Sequence, residues 1–164
     1  MIPRPVISQI SKTVQVVVND IISGFRSKRY ETEPEITGAF VERLHIFLNE
    51  LGPIEGIKIE AYAFRQKIEK KIGADLGLLL NVKLQNYRIS KAVLMQAKRC
   101  LCRRPYILGG DGIRGKEERL RFVNQCHRML AITSSAFVII YTDNYDCGFP
   151  VYPASEIVAL DLDT

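Results

Sequence analysis

The chain has 164 residues, 47% of them hydrophobic and 25% charged, with a net charge of +5 at pH 7. That length suits one domain with one sizeable core, the balance is that of a soluble globular protein, and no apolar run is long enough to span a bilayer. The start, Met1-Ile2-Pro3-Arg4-Pro5, lacks the apolar stretch and cleavage site of a signal peptide, so a cytoplasmic location is expected. Cys100, Cys102, Cys126 and Cys147 show neither zinc-ligand spacing nor a disulfide framework and read as buried free thiols. His45 and His127 share no motif and read as packing or surface residues.

In chain order, Ile7, Ile10, Val14, Val17, Val18 and Ile21 recur at helical spacing and predict a helix over residues 7–22, ended by Gly24. The β-branched run Val16-Val17-Val18 leaves a strand as the weaker alternative. A charged connection with Pro34 follows, then a helix from about Glu35 to Leu51, stopped by Gly52-Pro53. Glu35 and Glu42 are seven apart and share a face of this helix. Residues 57–64 alternate as a strand, Lys67 to Lys71 read as a charged turn, and residues 74–82 read as a nearly all-apolar, doubly covered strand. Lys83 to Ser90 turn the chain into a third strand over 91–98, expected to pair with the second as a hairpin. A loop with Pro105 and Gly109-Gly110-Asp111-Gly112 leads to a helix over Lys116 to Leu130, with Leu120, Val123, Cys126 or His127 and Leu130 as its apolar stripe. A strand over Ala136 to Tyr141 and a short terminal element over Ala154 to Leu160 complete an α/β domain with a mixed sheet. Residues 1–32 read as a helical extension and 33–164 as the main domain, together one compact unit.

Charge on apolar strands singles out the chemistry. Asp75 is the only acid in its apolar strand, and Gln96 and Lys98, two apart, project from one face of the next. Burying a carboxylate and an ammonium is costly unless they pair or bind a metal. A purely structural reading is an Asp75–Lys98 salt bridge that fixes strand register. The functional reading is a metal site in which Asp75, Glu35 or Glu42, Gln96 and carbonyl oxygens hold a hard cation while Lys98 steadies the attacking water.

Gly73-Ala74-Asp75-Leu76 on one strand, followed by Val93-Leu94-Met95-Gln96-Ala97-Lys98-Arg99 on the next, resembles the PD-(D/E)xK nuclease motif, in the Gln form of Mrr-like restriction endonucleases. Gly38-Ala39-Phe40-Val41-Glu42 resembles their helix signature and puts Glu42 in the helix-acid position, while Glu33-Pro34-Glu35-Ile36-Thr37 resembles a helix start that favours Glu35 or Glu33. The resemblance covers roughly residues 33–141. It implies a restriction-endonuclease-like α-β-β-β-α-β core, a Mg²⁺- or Mn²⁺-dependent endonuclease active on DNA, and a role in restriction, phage defence or repair. It also implies a homodimer or higher oligomer, since two centres are needed to cut both strands. Gln96 in place of an acid removes one negative ligand.

A basic block begins where that strand ends: Lys98, Arg99, Arg103, Arg104, Arg114, Lys116, Arg119, Arg121 and Arg128. Of these, Arg99, Arg103, Arg104, Lys116, Arg121 and Arg128 are the candidate phosphate contacts to double-stranded DNA, against the plain alternative of a solvated surface. Tyr141, Tyr145 and Tyr152 are candidate base-stacking residues, with core or rim positions the commoner use of such rings. The rivals to a DNA-cutting enzyme are a catalytically inactive nucleic-acid-binding module of the same fold, an RNA-cleaving nuclease, and a structural protein in which the charged hairpin only locks register.

Overall fold

The computed structural model describes residues 3–51, 55–100 and 115–162. Helix α1 (Arg4–Arg26) carries an apolar stripe of Val17, Val18, Ile21, Ile22 and Phe25, all buried. It runs two residues past Gly24, which is accommodated inside the helix because the Tyr30 ring occupies the space a Cβ would need. The helix alternative therefore prevails at Val16-Val17-Val18, where one side of the run is buried and Val16 is exposed. Helix α2 (Glu33–His45) starts at a complete capping box: Thr32 Oγ1 accepts from the Glu35 N–H, and the Glu35 carboxylate accepts from the Thr32 N–H. It continues as a π-helical segment, Ile46–Leu51.

Among the described residues five strands form one mixed sheet in the order β1-β2-β3-β4-β5: β1 (Ile57–Ala63), β2 (Leu76–Leu84), β3 (Tyr87–Cys100), β4 (Ala136–Thr142) and β5 (Val151–Pro153). Only β3 and β4 run parallel; the other neighbours are antiparallel. The expected hairpin is present, with its turn confined to Gln85-Asn86 rather than spread over Lys83 to Ser90. Pairs such as Val82 with Ile89 and Leu84 with Tyr87 keep apolar groups together to its tip and extend the ladder through that polar-looking stretch. Between β1 and β2 the predicted charged turn is a short helix, α3 (Gln66–Ile72), ended by Gly73 at φ +80°.

Helix α4 (Lys116–Ile132) provides the crossover between the parallel strands, as that connection requires. It buries Phe122, Val123, Gln125, Cys126 and Met129, not Leu120, which is 57% exposed. Helix α5 (Ala154–Leu162) packs against α4 and the same sheet face through Ala154 and Ile157.

The sheet separates two cores. On one face α1 and α2 pack over Leu76, Ala97, Ile139 and Tyr141; on the other α4 and α5 pack over Ala74, Cys100, Val138 and Ile140. The helix of the first 32 residues thus shares its core with residues further along the chain. Cys100 and Cys126 are buried free thiols, and burial pushes Cys126 up to about 12. Cys102 lies outside the described residues. Among the described residues no helix is long and apolar enough to cross a membrane.

Candidate active site

The last residues of β3 extend beyond the start of β2. On one side, Gln96 to Cys100 pair with Val138 to Thr142 of β4. On the other, β2 begins only at Leu76, opposite Met95, so the β3 backbone groups that follow have no strand beside them. Unpaired buried N–H groups are costly and must find acceptors. Two carboxylates supply them. Asp75 Oδ2 accepts from the Ala97 N–H at 2.7 Å, and Glu33 Oε2, from the first turn of α2, accepts from the Arg99 N–H at 3.0 Å. Asp75 itself is fixed by its backbone, donating to the Met95 carbonyl and accepting from the Phe64 N–H.

Gly73 aims the chain into this position. Its positive φ is reached at little cost by glycine alone, and a Cβ there would overlap the backbone carbonyl of Gln125 on α4. The close approach of α3 and α4 that results also brings Gln125 Nε2 to Glu69 Oε1 at 3.5 Å. Gln125 is buried in this contact.

Gln96 and Lys98 share the sheet face that carries α4. Gln96 is fully buried; its Nε2 donates to Asp75 Oδ2 and to the Ala97 carbonyl, and its buried Oε1 has no partner among the described residues. Lys98 is 18% exposed through its side chain, lies 5.7 Å from the Phe122 ring centroid, and pairs with Glu33 Oε1 at 3.6 Å. Lys98 thus has its ion-pair contact with Glu33 rather than with Asp75. Glu33 therefore spans the site, one oxygen on the Arg99 N–H and the other facing Lys98.

Burial pushes the Asp75 carboxyl up to about 7, against the opposing pull of the Ala97 N–H and of Lys98. The negative charges of Glu33 and Glu69 push it further up. A carboxyl poised near neutrality can be switched between charged and neutral forms by a cation or a change of pH.

Of the helix acids weighed for this centre, Glu33 lies at it, while Glu35 and Glu42 do not. Glu35 is exposed, and its carboxylate accepts the N–H groups of Glu31 and Thr32, which hold it well below the usual carboxylate range. Glu42 is exposed and sits roughly 13 Å along α2 from Glu33 at the helical rise per residue; among the described residues it makes no hydrogen bond or ion pair with Asp75, Gln96 or Lys98. Glu33 is the acid that α2 delivers. Glu69 was not singled out by the sequence, where it is one of several charges between Lys67 and Lys71.

The basic residues divide. Arg99 turns to the opposite sheet face, donating to the Glu31 carbonyl and lying 5.9 Å from the Phe25 ring centroid. Arg128 donates to the Lys70 carbonyl and ties α4 to the end of α3. Both have structural contacts that the solvated reading did not include. Lys116 and Arg121 are exposed on α4; Arg103 and Arg104 lie outside the described residues. Tyr141 is wholly buried, with its hydroxyl 3.0 Å from Thr37 Oγ1 and its ring packed edge-on against Phe40 and Phe149, which removes it as a base-stacking group.

Among the described residues no group of three or more His, Cys, Asp or Glu is gathered to hold a metal ion. A hard cation needs less than that: Mg²⁺ is commonly held by one or two carboxylates with several waters retained. Asp75 and Gln96 bring oxygen atoms of that type to the site, although it is the Gln96 Nε2 that lies on the Asp75 and Ala97 oxygens, while its Oε1 has no partner among the described residues. The chain matches no protein-family model and no curated protein.

Proposed function

We propose that this centre hydrolyses phosphodiester bonds with Mg²⁺ or Mn²⁺, as a nuclease of the restriction-endonuclease-like kind acting on double-stranded DNA. The observation that carries the reading is the Asp75–Gln96 pair beside Lys98, with Asp75 half-buried, Gln96 fully buried and its Oε1 without a partner among the described residues. A buried unsatisfied oxygen near a half-buried carboxylate is destabilising on its own and favourable toward a cation. Asp75 and Gln96 would hold the ion, which supplies polarisation of a phosphoryl oxygen and a more acidic water. Lys98, oriented by Glu33, sets a positive charge where the phosphate would gain negative charge. Lys116 and Arg121 provide exposed positive charge on α4 for flanking phosphates. Pairing of two copies would supply a centre for each strand of the duplex.

One specific observation favours a second reading. Asp75 and Glu33 both cap the open edge of β3, so the charged residues already have a structural use. In that reading they hold strand and helix in register and do no chemistry.

Cleavage of plasmid and linear DNA in Mg²⁺, Mn²⁺ or EDTA distinguishes the two, with RNA as a parallel substrate. The parent is compared with Asp75→Asn, which keeps an acceptor for the Ala97 N–H, and with Lys98→Ala. Metal-dependent cutting by the parent, lost in both folded variants, is the expected result. DNA binding without cutting under any metal removes the enzyme and leaves a binding module. Loss of both binding and cutting leaves the structural reading.

A further inference from the structure

On the sheet face opposite Gln96 and Lys98, α1 and α2 do not close fully over the strands. A cleft of about 320 Å³ remains between them, reaching from Val14 of α1 and Leu44 of α2 to Leu78 and Met95 on the sheet. Every side chain lining it is aliphatic, aromatic or a thioether, except Lys91. Protein interiors close-pack and leave few voids larger than a water molecule, so a gap of this size is not packing slack. Its walls give water no hydrogen-bond partners. It falls at the lower end of the range of small-molecule pockets, about 300–1,000 Å³.

We propose that the cleft binds a single-chain aliphatic carboxylate, with the alkyl chain along β3 and the carboxylate paired with Lys91 at the rim. Lys91, Val93 and Met95 are two apart on one strand and line the same face, so the only charge stands at one end of an apolar row. Lys91 to Met95 spans about 13 Å at the strand rise, the length of a medium-length extended alkyl chain. Lys91 is exposed, and among the described residues no carboxylate pairs with it. One cation at the end of an apolar channel is complementary to one anionic head on an apolar tail.

The test is calorimetric titration and thermal unfolding with decanoate and decanol, both below micelle formation, on the whole chain and on Lys91→Met. Because Lys91 is exposed on a strand, its replacement leaves the core intact, checked by circular dichroism. Decanoate is expected to bind and raise Tm, and to bind about fivefold tighter than decanol, the scale of one exposed ion pair. Lys91→Met should bring decanoate to the level of decanol and leave decanol unchanged. Val14→Phe, which fills the cleft, should weaken both. Binding of neither ligand overturns the proposal. So does equal affinity for acid and alcohol in the parent, or decanoate affinity untouched in Lys91→Met. A concentration-dependent dimer that excludes decanoate from the cleft also overturns it and identifies a second copy as the occupant. None of these readouts depends on nuclease activity.

Discussion

Raising the pH from about 4 to about 8 ionises Asp75 in a site that burial makes hostile to its charge. In the unfolded chain this carboxyl titrates at its ordinary 3.8; in the fold it titrates at about 7. Between the two values the folded chain keeps the proton and the unfolded chain has lost it, so the folded state binds more protons. The group's contribution to stability is therefore complete below about 3.8 and is lost as pH rises through about 7. At about 1.36 kcal/mol per pH unit, a gap of about 3 units amounts to about 4 kcal/mol. That is a large share of the roughly 5–15 kcal/mol that holds a domain together. Asp75→Asn removes the titration while an amide oxygen still accepts from the Ala97 N–H. Urea denaturation of parent and variant across this pH range is the assay, because their difference cancels every other titrating group. The variant should gain on the parent by up to about 4 kcal/mol toward about pH 8 and by little near pH 4. A difference that stays flat with pH would refute the reasoning. Adding Mn²⁺ at the alkaline end should raise the parent's midpoint and leave the variant's unchanged, which tests the proposed cation separately.

Gly73→Ala should destabilise by about 1–3 kcal/mol for its backbone conformation, with a further loss from overlap with the Gln125 carbonyl, measured as a lower denaturation midpoint. Glu33→Gln keeps an acceptor for the Arg99 N–H but loses the charge facing Lys98, whereas Glu33→Ala leaves the N–H unpaired; the alanine variant should be less stable by about 1–3 kcal/mol, and equal stabilities would remove the capping role. Met129→Ala should cost about 2–5 kcal/mol, while Leu120→Ala should stay within about 0.5 kcal/mol in the same denaturation assay; a reversed order would mean that α4 is rotated from its described position.

The sequence made the centre visible because charge stands out in apolar strands: Asp75, Gln96 and Lys98 needed only the period of a strand and a hairpin to be placed together. It left the helix acid open among Glu33, Glu35 and Glu42, although one signal could have decided it. Thr32-x-x-Glu35 is a capping-box pattern, and a glutamate used that way is turned back onto its own helix start, which leaves Glu33 one turn end nearer the sheet. Helix α3 was obscured by its charges, yet Gly73 after Lys70 and Lys71 is an ordinary helix ending. The stripe of α4 was misphased because Leu120 weighs heavily in any apolar count; Phe122, two residues on, was the better anchor. The stretch Lys83 to Ser90 looked like a turn by composition, since residues on the solvent side of a strand are polar whether or not pairing continues. The capping of β3 by two carboxylates lay beyond sequence reasoning, because it depends on where β2 stops.

Those two caps close chain loops of unequal length: Asp75 reaches Ala97 across 22 residues, and Glu33 reaches Arg99 across 66. The longer closure costs about 1 kcal/mol more in chain entropy. The first needs only a hairpin with a two-residue turn; the second also needs α2 docked on the sheet. Chain entropy therefore leads us to expect the Asp75 cap to form first and the Glu33 cap second. Native-state hydrogen exchange is accordingly expected to show the Arg99 amide opening before that of Ala97, and the opposite order would refute this. Lys98 can then lose its counter-charge while the Asp75–Gln96 pair beside it stays closed.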